Sequence, residues 1–315
     1  MAYKVMGIAA GRKDGNGEIL LKEALSACAD KGAEVTFINL RDYEVLDCTG
    51  CTACTKGMFM EGKNVGCVLG KKDDKDRIMR SLFEQDALIF SAPTYDLQAS
   101  ANFTRFMQRS LAYETAFLES IGAIKRRDRI AGLIAVGGST RSWMSMSLEG
   151  MQAAMFTCDF KVVDMLLATR VPAQGQVFSH PEHIERAHLL GEHIMASLEK
   201  APEDRGWEGE SGFGWCPNCH SNALILGERQ WDGLQFDIEC QVCGCGGTLR
   251  QNAEGKWDFV IDEETGYSRD RTTVEGREKH LGEIGQTQGS FYTPENMKMY
   301  AEKIKKYKAM QFNGI

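Results

Sequence analysis

The sequence predicts an α/β protein, a doubly wound sheet of five parallel strands in the order 2-1-3-4-5, followed by a small cysteine-stapled module and a terminal helix. Three observations predict it. Short apolar runs alternate with amphipathic stretches over residues 3–200, a Gly-rich turn joins the first run to the first helix, and two C-x2-C pairs lie beyond residue 215.

The strands are expected at 4–10, 34–40, 86–93, 129–138 and 160–167, with helical stretches near 17–31, 74–84, 98–112, 142–157 and 181–199. The last helix opens at Ser179-His180-Pro181, a start signal. An acidic, Gly-rich stretch at 201–214 reads as a linker, so residues 1–200 form one expected domain and 215–262 a second. Residues 263–315 form a C-terminal extension: 263–292 have weak periodicity, and Thr293-Pro294-Glu295 caps a final helix with Met297, Tyr300, Ile304 and Tyr307 at helical spacing.

Hydrophobic residues make up 43% of the 315 and charged residues 26%, enough to bury a sizeable core. The net charge of −7 argues against a nucleic-acid footprint, which needs clustered Lys and Arg. No apolar run is long enough to span a membrane and the N-terminus does not read as a signal peptide, so a cytoplasmic location is expected. In that reducing compartment the 11 cysteines are expected as ligands or buried thiols, not disulfides. Cys28 and Cys158 fall outside the two cysteine clusters and are expected to fill core space.

Gly11 to Gly17 form the first βα turn, where glycines let backbone N–H groups converge at a helix N-terminus and hold an anion. The spacing matches neither the dinucleotide nor the triphosphate fingerprint, so a monophosphate such as that of FMN fits better, against the alternative of an ordinary Gly-rich turn. The third strand ends in Pro93-Thr94-Tyr95, with Ser100 at the next helix start, and the fourth ends in Gly137-Gly138. Loops at the carboxyl ends of a parallel sheet converge on one crevice, where Thr94 and Tyr95 can flank a flat ring.

Cys48, Cys51 and Cys54 at x2 spacing, with Cys67 after a further twelve residues, form the thiolate set of a [4Fe–4S] cluster, within a loop expected at 47–74. The alternative is a partial set of thiols that holds no cluster. Cys216 and Cys219, then Cys240 and Cys243 after twenty residues, have zinc-ribbon spacing, which gives a closed structural Zn2+ site. Rubredoxin-type iron is the alternative metal, Cys245 the alternative to Cys243, and His220 is expected beside the site without binding it. His183, His188 and His193, five apart, turn to different faces and read as surface or packing residues. The lysines of the final helix read as a solvated face.

Arg12, Gly15, Asn16, Pro93, Tyr95, Ser100, Ala101, Gly137 and Gly138 resemble the ordered loop motifs of the NAD(P)H-dependent FMN reductase and iron–sulfur flavoprotein family over roughly residues 3–200. Ala10 and Gly17 stand where that family has hydroxyl side chains, which removes two phosphate contacts. The resemblance implies a flavodoxin-like fold, a compact cysteine run at the position found here, and a flavin at a homodimer interface. The expected function is FMN-dependent electron transfer coupled to the cluster, with NAD(P)H or ferredoxin as donor and a small molecule or partner protein as acceptor. A cluster-free NAD(P)H-dependent quinone or aromatic-compound reductase, and a redox-responsive binding protein using its zinc ribbon, are the alternatives.

Overall fold

The computed structural model describes residues 2–212, 214–230 and 232–310. Residues 311–315, the end of the expected extension, lie outside the described residues. The main sheet is built from β1 (Lys4–Ala9), β2 (Glu34–Asn39), β3 (Ala87–Tyr95), β5 (Arg129–Val136) and β6 (Phe160–Ala168), in the order β2-β1-β3-β5-β6. All four pairings are parallel. The expected order 2-1-3-4-5 is therefore found; the label β4 (Gln98–Ala99) goes to a two-residue strand that folds back antiparallel on β3.

Both faces of the inner strands β1, β3 and β5 are covered, so they are apolar on both sides and the period of two sorts their side chains between two cores, while edge strand β2 is largely exposed. Val5, Ala9, Ile89, Ile130 and Ile134 pack under α1 (Asn16–Asp30) and α7 (Pro181–Glu199). Met6, Ile8, Leu88, Phe90 and Leu133 pack on the other face under α3 (Lys75–Phe83), α4 (Ala101–Gln108) and α6 (Ser147–Met155). Helices α1 and α7 approach so closely that a Cβ on Gly191 would stand 2.2 Å from the Ala24 carbonyl oxygen. Cys28 and Cys158 are buried in these cores, as expected, and burial pushes the Cys28 thiol up to about 12.

Two expected helices are shorter than their sequence patterns. In the 98–112 stretch, Gln98 and Ala99 pair with β3 and the helix starts only at Ala101. The 142–157 stretch opens with a 3-10 turn, Arg141–Trp143, before α6. Two short helices were not anticipated: α2 (Ala53–Glu61) starts at a left-handed Thr52 with no side-chain cap, and α5 (Thr115–Ser120) is six residues long.

Within the stretch expected as a linker, Glu208 and Gly209 run beside the outer edge of β6, where their N–H groups donate to the Val163 carbonyl at 2.8 and 3.3 Å. They cover an edge that would otherwise offer unpaired backbone. A second, antiparallel sheet follows in the order β10-β9-β8-β7, made from β7 (Leu224–Leu226), β8 (Ile238–Cys240), β9 (Gly246–Gln251) and β10 (Trp257–Ile261). Its small core consists of five cysteines, Val242, Phe259 and Ile261, closed by Phe156 from the end of α6.

The extension contains α8 (Val274–Phe291) and α9 (Pro294–Lys308). Thr293 caps α9 as expected, accepting the Asn296 N–H at 3.2 Å. Arg277 of α8 is anchored by Asp159 at 2.6 Å and Glu114 at 3.3 Å. At the far end of α8, Tyr292 lies 3.4 Å from the Thr52 hydroxyl and under the Lys56 ammonium, so the extension packs on the cysteine-bearing segment.

Candidate functional site

The loops after β1, β3 and β5 meet at the carboxyl rim of the sheet. Helix α1 opens behind Gly15 with no side-chain cap, leaving its first N–H groups and positive end directed at the rim. The Asn16 side chain is already engaged: its amide donates to Val171 and Ala173 carbonyls at 2.7 Å each and accepts from the Val177 N–H at 3.3 Å. Asn16 therefore offers a ligand its backbone. Exposed Arg12 donates to the Pro172 carbonyl at 3.2 Å. A Cβ on Gly17 would stand 2.7 Å from the Ser91 hydroxyl, which is buried and has no hydrogen-bond partner among the described residues.

From β3, the Ser100 N–H donates to the Pro93 carbonyl at 2.9 Å, and the Ser100 hydroxyl reaches the Ala10 carbonyl at 3.1 Å, tying the first and second loops together. Thr94 is hydrogen-bonded to Ser147 at 2.7 Å. Tyr95 is exposed beside a tight turn in which Asp96 and Leu97 have φ of 50° and 72°. That conformation suits a two-residue hairpin but is unfavourable for leucine, and such strain concentrates at functional loops. In the third loop, Cβ atoms on Gly137 and Gly138 would each stand 2.8 Å from another side chain, Met144 and Pro172. Pro172 is rigid, so packing within the protein demands a glycine at 138, whereas at 137 the contact is with the end of the flexible Met144 side chain. Tyr95, Leu97, Trp143, Met146 and Phe178 are all exposed on the loops after β3, β5 and β6.

The first cysteine group is partly turned inward. Cys54 and Cys67 pack against the main core while Cys48 and Cys51 are exposed. The Ala53 N–H holds the Cys51 thiol below its ordinary value, whereas burial, with the charges of Cys51 and Cys67, pushes Cys54 up. Cys67 accepts a hydrogen bond from Arg109 Nε at 3.3 Å, and Arg109 forms a fully buried ion pair with Asp73. Among the described residues these four sulfurs do not converge to within 4.8 Å of one another, as donors around a single ion would. A cubane spreads its thiolates over separate irons and asks for wider spacing.

The second group does converge. Cys216, Cys219, Cys240 and Cys243 are buried with all four sulfurs within 4.8 Å, and the 216–243 and 219–240 pairs are each 3.6 Å apart. Such a set of thiols fits one tetrahedral cation. Cys245 lies beside them, accepting from Asn218 at 3.4 Å and grouped with Cys243 and Asp270. His220 stacks on Trp207 at 4.8 Å and is not in the four-sulfur set. The helical histidines are held apart as expected: His183 by the Thr169 carbonyl, His188 by Glu23 and His193 by Asp164.

Sequence reasoning missed Ser91, Arg109 and Asp73. Ser91 reads as one more polar residue at a strand end, and Asp73 lies in the charged run Lys71 to Lys75 at the end of the expected 47–74 loop, where nothing in the sequence signals burial. Only the fold shows that Asp73 and Arg109 are buried.

The sheet order and its helical layers define a flavodoxin-like α/β protein. The chain belongs to the NADPH-dependent FMN reductase family, which matches residues 3–169, and is a flavin oxidoreductase. It is 33% identical over 147 residues to an iron-sulfur flavoprotein of Methanocaldococcus jannaschii, spanning 46% of this chain and 68% of that one. To an iron-sulfur flavoprotein of Archaeoglobus fulgidus it is 26% identical over 157 residues, 48% of this chain and 70% of the relative. A solved structure described as a flavone reductase shares the fold over 99% of both chains, with a TM-score of 0.72 and 22% identity. No helix among the described residues is long and apolar enough to cross a membrane.

Proposed function

We propose that this flavin oxidoreductase exchanges electrons between FMN at the carboxyl rim and a [4Fe–4S] cluster on Cys48, Cys51, Cys54 and Cys67, reducing a small molecule or a partner protein. One observation carries the reading. Helix α4 follows directly on Ser100, which is tied to the rim, and ends beside Arg109, which donates to Cys67. Eight residues at about 1.5 Å each make it on the order of 12 Å long, so the two proposed sites would lie at opposite ends of one short helix. The names of the relatives as iron-sulfur flavoproteins support the cluster.

FMN supplies two-electron chemistry that can be delivered one electron at a time. The uncapped start of α1, with the backbone of Gly15, Asn16 and Gly17, would receive the phosphate, Arg12 would neutralise it, and Ser91 offers an unused hydroxyl beneath Gly17. Pro93, Thr94, Tyr95, Ser100, Gly137 and Gly138 would shape the ring site. Tyr95 has its face free for stacking, while Ser100 and Thr94 fix the loop. Cys216, Cys219, Cys240 and Cys243 would hold structural zinc, stapling a core too small to fold alone. Residues 1–200, 215–262 and 263–315 then act as flavin domain, ribbon and clamp.

NAD(P)H or ferredoxin would donate electrons, a second copy of the chain would cover the exposed apolar residues of the rim, and the protein would work in the cytoplasm. A cluster-free NAD(P)H-dependent reductase is the second reading, favoured by the exposure of Cys48 and Cys51. Iron, acid-labile sulfide and extracted FMN, measured on anaerobically purified protein, separate the two. About four irons and four sulfides per chain are expected for a cubane; flavin without sulfide leaves the second reading.

A further inference from the structure

The Arg109 guanidinium and the Asp73 carboxylate are 1% and 0% exposed. A buried charge needs each of its hydrogen-bonding atoms satisfied, so the partners show what the pair is for. Arg109 binds Asp73 through both terminal nitrogens, donates from Nη1 to the Leu46 carbonyl at 3.2 Å and from Nε to Cys67 Sγ at 3.3 Å. Asp73 in turn accepts the Leu46 N–H at 2.8 Å and the Lys75 N–H at 3.3 Å. Leu46 stands two residues before Cys48, and Cys67 is the last cysteine of the group. The pair therefore joins both ends of the cysteine segment to the end of α4.

The charge count around it is uneven. Lys75 is fully buried and is a second cation near Cys67, its ammonium donating to Ser110 at 3.1 Å and to the Phe106 carbonyl. Two buried cations face one buried carboxylate, which leaves room for one further negative group, and Cys67 Sγ is the atom at which Arg109 Nε is aimed. Hydrogen bonds to sulfur and local net charge are among the terms that set an iron–sulfur reduction potential.

We propose that Arg109 and Asp73 are positioning residues for the cluster, with Arg109 holding Cys67 as a ligand and raising the potential through its N–H to sulfur and its charge, and Asp73 opposing it. The proposal rests on the cluster reading above. Their effects on the potential have opposite signs. Arg109→Met removes a cation and a sulfur hydrogen bond, so the cluster becomes harder to reduce; Asp73→Asn removes an anion of nearly the same shape, so it becomes easier. Arg109→Lys keeps the charge but loses the forked geometry, and the potential falls less.

The test is an anaerobic dithionite titration of the purified full-length protein, following the cluster's EPR signal in wild type and the three variants. Each shift is expected to reach a tenfold change in the one-electron equilibrium, about 59 mV, downward for Met and upward for Asn. Should the Met variant fail to fold, the Lys and Asn variants still carry opposite signs. Shifts in one direction for both, or potentials equal to wild type, overturn the proposal while leaving the cluster in place. A wild-type protein with no cubane signal overturns the cluster reading and this assignment together.

Discussion

Lys75 offers a test of the buried electrostatics that is independent of any cofactor signal. Its ammonium is buried between the Phe106 and Tyr113 rings, 4.3 and 5.7 Å from their centroids, and burial lowers its ordinary value of 10.5 to about 8. Below pH 8 the folded and unfolded chains both hold the proton, and the cost of burying it is present in full. Between pH 8 and 10.5 the folded chain has released it while the unfolded chain has not, so stability from this group rises with pH by about 1.4 kcal/mol per unit. Over that interval the gain is about 3 kcal/mol. Lys75→Met removes the titration. It also leaves Phe106 and Ser110 without their donor, at about 1–3 kcal/mol, which offsets much of the relief at pH 7. The informative quantity is therefore the slope. Urea unfolding of wild type and variant at pH 7, 8, 9 and 10 should give stabilities that diverge in favour of wild type by up to about 3 kcal/mol as the pH rises. Parallel curves would refute the reasoning.

Gly191→Ala should destabilise the protein by about 1–3 kcal/mol, because the new methyl meets the Ala24 backbone and α1 must move away from α7; an unchanged urea midpoint would show that the helices have slack. If the four sulfurs hold zinc as proposed, Cys240→Ser should leave the protein without it and open residues 215–262 to proteolysis while the extracted FMN stays at the wild-type level. Retained zinc, seen by elemental analysis, would count against the four-sulfur site.

Most of the main sheet was legible because both faces of every inner strand are buried, which writes the strands as near-continuous apolar runs such as Ala87-Leu-Ile-Phe-Ser-Ala92. The convergence of Cys216, Cys219, Cys240 and Cys243 was legible from cysteine spacing alone, since two C-x2-C pairs leave few geometries for four sulfurs that meet. Helix α8 was hidden: Gly276, Gly282, Gly285 and Gly289 break its pattern, and buried Arg277 with one buried apolar residue, Leu281, rather than an apolar stripe, holds its first half to the molecule. Helix α2 was hidden by its left-handed start at Thr52, which no capping rule signals. The candidate site was legible as a set of loops but not as a set of contacts. Asn16 stands at the head of α1 with its side chain already engaged by backbone carbonyls, and Gly138 is demanded by Pro172. Arg109 and Asp73 escaped notice because burial of a charge depends on partners far along the chain.

The central claim is that the uncapped start of α1 and its neighbouring loops hold the phosphate and ring of FMN. Fluorescence titration of FMN-stripped protein tests it most directly, with Arg12→Glu reversing the exposed charge that would neutralise the phosphate beside the start of α1. Quenching that saturates at one FMN per chain in wild type, with affinity lowered at least about tenfold in the variant (about 1.4 kcal/mol), is the predicted result. Equal affinity in the two proteins, or no uptake of FMN by wild type, would contradict it.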